Sequence, residues 1–336
     1  MAYIKIYKQH LYYNFNEIIK KVGSIEKIAL VLKDNAYGHG LTIISTLASE
    51  YGIKHAIVKN LDEAIEVESF FDTILILGDK IIKHEKFHFT INSLESILNA
   101  EKGAKVELKI DTGMHRNGIA VREFREAIKL IQLKELQLVG VLTHYKSADI
   151  LSSEYFWQSK QFEIIKNNIK ELGLSNVRIH SHNSAASLRT NTINEDLYRI
   201  GIAAYGYNEL PNSFEGISLK PVLSLHATRI STRKLKKGEC IGYGGSYIAS
   251  KCMTVSTYDL GYGDGWFRGD SSCPYITSGG LSILGRVSMD FMTFASEEEE
   301  ICIMNDCLDA AKQYRTISYE MTTGLNSRLR RVVIEE

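Results

Sequence analysis

The chain has 336 residues, 44% of them hydrophobic and 24% charged, with 40 basic residues against 40 acidic ones. That balance supports a sizeable buried core and gives no net field for nucleic acid or an anionic membrane surface, so a small molecule or a protein is the expected partner. The five cysteines lie in the last third without a CxxC pair, so no metal site or disulfide framework is expected and a reducing cytoplasm is the simplest compartment.

The start, Met-Ala-Tyr-Ile-Lys-Ile-Tyr-Lys, lacks the pattern of a signal peptide. No run of about eighteen apolar residues occurs anywhere, so no membrane span is expected. Tyr3–Tyr7 reads as a short strand outside the pattern that follows, with the second domain as a candidate partner. From Ile28 onward short apolar strands alternate with helical stretches. The strands are expected at Ile28–Leu32, His55–Val58, Ile74–Leu77, Phe87–Ile91, Val106–Ile110, Leu138–Thr143, Val177–Ile179 and Leu197–Ile202. Helical spacing is clearest over Glu154–Leu172, where Phe156, Phe162, Ile165 and Ile169 recur on one face. Several strands are continuous apolar runs, the pattern of strands covered on both faces.

Eight strands separated by helices predict an α/β fold with an N-terminal (β/α)8 TIM barrel over residues 1–219. A doubly wound open sheet is the rival that periodicity leaves open. From about Leu219 glycines become dense and β-type stretches replace helices, which predicts a mainly β domain over 220–336. In it, Lys236-Lys237-Gly238-Glu239 reads as a hairpin turn, Leu281–Phe294 as strand material, and the acidic run Glu297–Glu300 as a solvated loop.

Polar clusters end the barrel strands. Lys33-Asp34-Asn35-Ala36-Tyr37-Gly38-His39-Gly40 follows the first, and Lys109-Ile110-Asp111-Thr112-Gly113-Met114-His115-Arg116 closes another. Thr143-His144 and His180-Ser181-His182-Asn183-Ser184-Ala185-Ala186 close two more, and Arg199-Ile200-Gly201-Ile202 lies on the last. Taken singly each has a bland reading: Lys33 as a solvated lysine, Arg116 as a surface ion pair, His144 as a core histidine, Ser184 as a helix N-cap. All of them at one barrel end, where barrel active sites sit, point to chemistry instead. A strand-end lysine in a partly desolvated pocket loses its proton readily and can add to a carbonyl. In the second domain, Asp259-Leu260-Gly261-Tyr262-Gly263-Asp264-Gly265-Trp266 sets a tyrosine among small residues, and Gly285-Arg286-Val287-Ser288-Met289-Asp290 reads as a strand and turn.

The Lys33–Gly40 segment closely resembles the cofactor-lysine motif of bacterial alanine racemases. The Lys-x-Asp-Thr-Gly-Met-x-Arg run, Thr-His, His-x-x-Asn-Ser-Ala-Ala, Arg-x-Gly-Ile-x-x-Tyr-Gly, Gly-Tyr-x-Asp-Gly and Met-Asp follow in that family's order along nearly the whole chain. The resemblance implies a cytoplasmic homodimer with shared active sites that interconverts L- and D-alanine, through an external aldimine of pyridoxal 5'-phosphate, to supply D-alanine for peptidoglycan. Lys33 would carry the cofactor as a Schiff base and act as one base, with Tyr262 of the partner subunit as the other. Tyr37, Ser184 and the backbone of Gly201 and Ile202 would hold the phosphate. Arg199 would face the ring nitrogen, and His144 would lie beside the ring, near Tyr262 and hydrogen-bonded to Arg199. Arg116 and the backbone of Met289 would receive the substrate carboxylate, and Lys109 matches a lysine that is carbamylated in some members.

The chain departs from the family's pattern at His182, where a small residue is usual, at Tyr145-Lys146, at Ser327 in place of a phosphate-binding tyrosine, and in a shortened Phe291–Asp309 stretch. Other enzyme readings keep the fold with a different amino acid, such as serine or lysine, or with a decarboxylase reaction. A decarboxylase would set an acid, not Arg199, against the ring nitrogen. A non-enzymatic cofactor carrier would lack the second domain and its Tyr262.

Overall fold

The computed structural model describes residues 1–211, 213–214 and 217–335. It divides into two compact units, one of Tyr12–Ala36 and Leu41–Leu219, the other of Met1–Leu11, Tyr37–Gly40 and Lys220–Glu336.

The first unit is a nearly closed, eight-stranded parallel barrel. In chain order its strands are β2 (Ile28–Val31), β3 (His55–Val58), β4 (Thr73–Ile76), β5 (Phe87–Ile91), β6 (Lys105–Asp111), β8 (Gln137–Leu142), β9 (Arg178–His180) and β10 (Tyr198–Ile200), with a two-residue strand β7 (Ile119–Ala120) beside β6. From β2 to β9 each barrel strand pairs with the next in parallel register, and β10 pairs with β2 through Tyr198↔Ile28 and Ile200↔Leu30, so the open-sheet alternative is excluded. Between β9 and β10 the Asp196 N–H donates to the Ile179 carbonyl and the Arg199 N–H to that of His182, each at 3.0 Å.

All four residues of β2 and all five of β5 are buried, as their unbroken apolar runs require. Each strand ends where the apolar run gives way to polar residues, which places the clusters singled out above at one rim. The helix Ser153–Glu171 buries Phe162, Ile165 and Ile169 but leaves Phe156 exposed, because its first turn extends beyond the core it packs on.

The second unit is built on β1 (Tyr3–Tyr7), β11 (Leu223–Leu235), β12 (Cys240–Ile241), β13 (Tyr247–Ile248), β14 (Met253–Tyr258), β15 (Met292–Phe294), β16 (Glu300–Met304) and β17 (Arg330–Ile334). β1 joins this unit, antiparallel to β11 and parallel to β17. The 13-residue β11 serves two neighbourhoods, pairing with β1 and β16 early and with β14 late. Lys236–Glu239 forms the expected turn, closed by Glu239 N–H to Lys236 C=O at 3.1 Å.

Two expectations are corrected here. Leu281–Phe294 is mostly irregular, with one isolated bridge, Ile276↔Ser282, ahead of the short β15. Glu300 is not part of a free loop: it opens β16 and binds Tyr3 Oη at 2.8 Å, Lys5 Nζ at 3.2 Å and His226 Nδ1 at 3.1 Å. No helix of the described residues is long and apolar enough to cross a membrane, and none of their His, Cys, Asp or Glu side chains form a group able to hold a metal ion.

Candidate active site

Lys33 stands two residues beyond β2, at the start of a turn in which Asp34, Asn35, Ala36 and Tyr37 all have φ between 52° and 57°. A left-handed turn costs about 1–2 kcal/mol per L-residue, so it persists only where side chains hold it. Asn35 accepts the Leu41 N–H at 2.8 Å through Oδ1, and its own N–H donates to Glu63. Glu63 also accepts the Lys59 N–H at 2.8 Å, and Lys59 pairs with Asp34 at 2.9 Å. The polar residues after Lys33 thus fix the turn that follows it.

Arg199, on β10, is buried, and four acceptors surround its guanidinium. Nη2 donates to the carbonyls of Thr143 (2.7 Å) and Ser181 (2.8 Å), and Nη1 to the carbonyl (2.9 Å) and Nδ1 (3.0 Å) of His180. Burial lowers its pKa to about 10, which leaves it a cation at neutral pH. Among the described residues no hydrogen bond joins Arg199 to His144, so the expected bond is not formed. Their coupling is electrostatic.

Ser184 is also not the N-cap. Asn183 takes that place, accepting the Ala186 N–H at 3.0 Å from an extended backbone. The Ser184 Oγ instead accepts the N–H groups of Gly201 (2.9 Å) and Ala203 (3.3 Å), which brings Ser184 against the Gly201-Ile202 turn.

His182 is buried and stands 3.5 Å from the carboxylate of Glu195, which also meets Lys166 at 3.3 Å and accepts the Ser181 N–H at 2.5 Å. Burial raises the Glu195 pKa, but His182, Lys166 and Ser181 outweigh it and bring it down to about 2. The departure at His182 is therefore matched by an acid that the next strand connection brings alongside it.

On β6 and the loop beyond it, the Asp111 carboxylate accepts the N–H groups of Gly113, Met114 and His115 at 2.9–3.1 Å and so shapes the segment that presents Arg116, which is exposed. Lys109 donates to Asn117 Oδ1. Burial, then the charges of Arg116 and Arg199, lower the Lys109 pKa to about 8. His144 is brought to about 3, first by burial and then by Arg199, Lys109, Arg116 and Lys33. A neutral imidazole thus stands where four cationic side chains exert their fields together.

Tyr37, Tyr262 and Met289 belong to the β unit. Tyr262 opens a short 3-10 turn, half-exposed, with its N–H on the Ser288 carbonyl at 3.1 Å, while Gly263 N–H donates to the Met289 carbonyl at 2.8 Å. A Cβ at Gly261 would lie 2.2 Å from the Met289 carbonyl oxygen, so only glycine allows these two segments to meet. Trp266 anchors the other end of the turn, edge-on to Tyr275 at 5.1 Å and Tyr314 at 5.8 Å. Tyr37 packs against Tyr319 at 5.7 Å, and Ser327 offers its carbonyl to Arg331.

Sequence reasoning missed Glu107, Arg178 and Glu195. Glu107 did leave a signal: it is a charge between Val106 and Leu108 inside a barrel strand, where an unpaired acid could not be buried.

A family model for the alanine racemase N-terminal domain matches residues 6–209, and one for the alanine racemase C-terminal domain matches residues 222–333. An alanine racemase of a Nitratiruptor species is 46% identical over 339 residues, covering 100% of both chains. One of Campylobacter jejuni subsp. doylei is 40% identical over 99% of this chain and 100% of the relative. Among solved structures, alanine racemase from Bacillus anthracis with bound L-Ala-P superposes with a TM-score of 0.89 at 28% identity, covering 99% of this chain and 95% of that one. That from E. faecalis gives 0.87 at 27% identity, with 99% and 98% covered. With both domains matched in order and relatives alike from end to end, the chain belongs to the alanine racemase family and is an enzyme of that family.

Proposed function

We propose that the chain interconverts L- and D-alanine with pyridoxal 5'-phosphate, as a cytoplasmic homodimer whose product feeds cell-wall synthesis. The observation that carries this reading is that Lys33, Lys109, Arg116, His144, Ser184 and Arg199 all lie at or just beyond the ends of the parallel barrel strands, at one rim. A set of one strand-end amine, two guanidiniums and a serine hydroxyl beside backbone N–H groups suits a ligand with an aldehyde, a phosphate and a substrate carboxylate. The residues present therefore fit the cofactor. Lys33 would hold its aldehyde carbon, and Ser184, Gly201, Ile202 and Tyr37 its phosphate. Arg199 would face its ring nitrogen, with His144 beside the ring.

Bound there, pyridoxal phosphate supplies an electron-withdrawing ring that acidifies the α C–H of an amino acid joined to it. The remaining steps belong to the protein. Arg116 and the Met289 backbone receive the substrate carboxylate and so orient Cα; a planar guanidinium can bind both oxygens at once. Lys33 would exchange a proton at one face of Cα. Tyr262 of the partner subunit would exchange the other. Arg199 would donate a hydrogen bond to the ring nitrogen without surrendering its proton.

The test is a racemisation assay over a panel of L-amino acids, with and without added cofactor. Cofactor-dependent turnover highest with alanine is expected. Turnover confined to another amino acid, or none with any, would overturn the reading.

A further inference from the structure

A polar thread runs through the barrel interior beneath Arg199. His180 receives the Arg199 Nη1–H at Nδ1 and stands, through Nε2, 2.6 Å from Glu107 Oε2. The other carboxylate oxygen, Oε1, accepts from Arg178 Nε at 2.9 Å and from Arg178 Nη2, and lies 3.0 Å from His88 Nδ1. Arg178 continues to Thr73 Oγ1 at 3.2 Å, and Thr73 to His55 Nδ1 at 2.8 Å. Glu107 and His180 have no exposed surface. The thread begins at the first residues of β3, β4 and β9 and ends at the rim that holds Arg199, in a space barrels usually fill with branched apolar side chains.

We propose that Glu107 is a positioning residue which, through His180, selects the imidazole tautomer facing Arg199 and so holds the Arg199 guanidinium in place. This rests on the reading of Arg199 as the group opposite the cofactor's ring nitrogen. A guanidinium has only donors, so His180 Nδ1 must be an acceptor and the ring proton must sit on Nε2. A carboxylate, which accepts and does not donate, enforces that choice from the far side. Burial alone would raise the Glu107 pKa, but Arg178, His180 and His88 hold it well below the usual carboxylate range, so the acceptor persists. Burial also keeps His180 neutral against the pull of Glu107.

The surroundings are shaped for this carboxylate. A Cβ at Gly140 on β8 would lie 2.6 Å from Glu107 Oε2, so a side chain there would displace it. Glutamine cannot replace it. With its amide nitrogen toward His180, the ring proton moves to Nδ1 and meets the Arg199 N–H. With the nitrogen toward Arg178, donors face donors there.

The direct test is nitrogen NMR of wild-type holoenzyme labelled with 15N-histidine, the His180 signals being identified by their loss in His180→Asn. A neutral ring protonated at Nε2 is expected. Protonation at Nδ1, or an imidazolium, would overturn the proposal even if every Glu107 variant failed to fold.

In Glu107→Gln the His180 ring should lose its single tautomer, the visible band of the bound cofactor should shift, and kcat should fall by about tenfold or more with KM changed much less. In a His180→Asn background the same substitution should change neither band nor kcat further. An unaltered band and kcat in Glu107→Gln, or an additive loss in the double variant, would contradict the proposal. A wild-type enzyme that neither binds cofactor nor racemises alanine would instead overturn the function proposed above, and the tautomer result would stand apart from it.

Discussion

The Ser184 hydroxyl accepts the Gly201 N–H at 2.9 Å, tying the helix start after β9 to the turn after β10. Because Asn183 supplies the cap, Ser184 is left to join two segments proposed to hold a phosphate. Ser184→Ala should weaken cofactor binding by about fivefold or more, the worth of one net hydrogen bond near 1 kcal/mol. Cofactor titration followed by absorbance measures this, and kcat should recover at saturating cofactor. A variant with unchanged affinity would remove Ser184 from the phosphate site.

Tyr262 stands on a turn fixed by the Met289 backbone and by Trp266, so losing its hydroxyl should leave fold and cofactor content intact. Tyr262→Phe should lower kcat by about 10²–10⁴-fold, the range of one general acid–base group. Steady-state kinetics beside the cofactor absorption spectrum checks both. Undiminished turnover would place the second base elsewhere.

Lys109 carries a pH signature. Its pKa is about 8 in the fold against an ordinary 10.5, so between these values the unfolded chain holds a proton that the folded chain has released. Stability should therefore rise with pH from about 8 to about 10.5, relative to Lys109→Met, and run parallel to that variant below about 8. Denaturant midpoints across this range test the sign. The same partly neutral amine can add carbon dioxide. With 13C-bicarbonate, a carbamate resonance should appear in the wild type and be absent from Lys109→Met.

Glu195 works at the acid side. Its pKa near 2 against 4.5 means that it contributes stability above about 4.5, which is lost as the pH falls toward 2. Glu195→Gln should lower stability by about 3 kcal/mol at neutral pH, since it leaves His182 and Lys166 facing a neutral amide. The gap should close as the solution is acidified. A gap independent of pH would show that shape, not charge, accounts for the loss.

The barrel was legible because parallel strands buried on both faces appear as unbroken apolar runs, and the polar residue ending each run marks the rim. Lys33, Lys109, His144, Ser184 and Arg199 were singled out this way, and the roles proposed for them came from the family resemblance. Glu107 was not assigned a role, since its partners lie 19 to 73 positions away and only the closed barrel brings β5, β6 and β9 together. Ser184 and Asn183 carry interchangeable capping chemistry, so one residue of register separated expectation from structure. Leu281–Phe294 has strand-like composition, yet Gly285 turns the chain at φ 78° and only Met292–Phe294 finds a partner strand.

Everything proposed for the site turns on Lys33 as the residue that holds the cofactor. Borohydride reduction of the purified holoenzyme, followed by peptide mass spectrometry, tests this most directly. A phosphopyridoxyl group on Lys33 and on no other lysine is predicted. An unmodified Lys33 peptide, or the group on Lys109, in a preparation that racemises alanine would contradict the account.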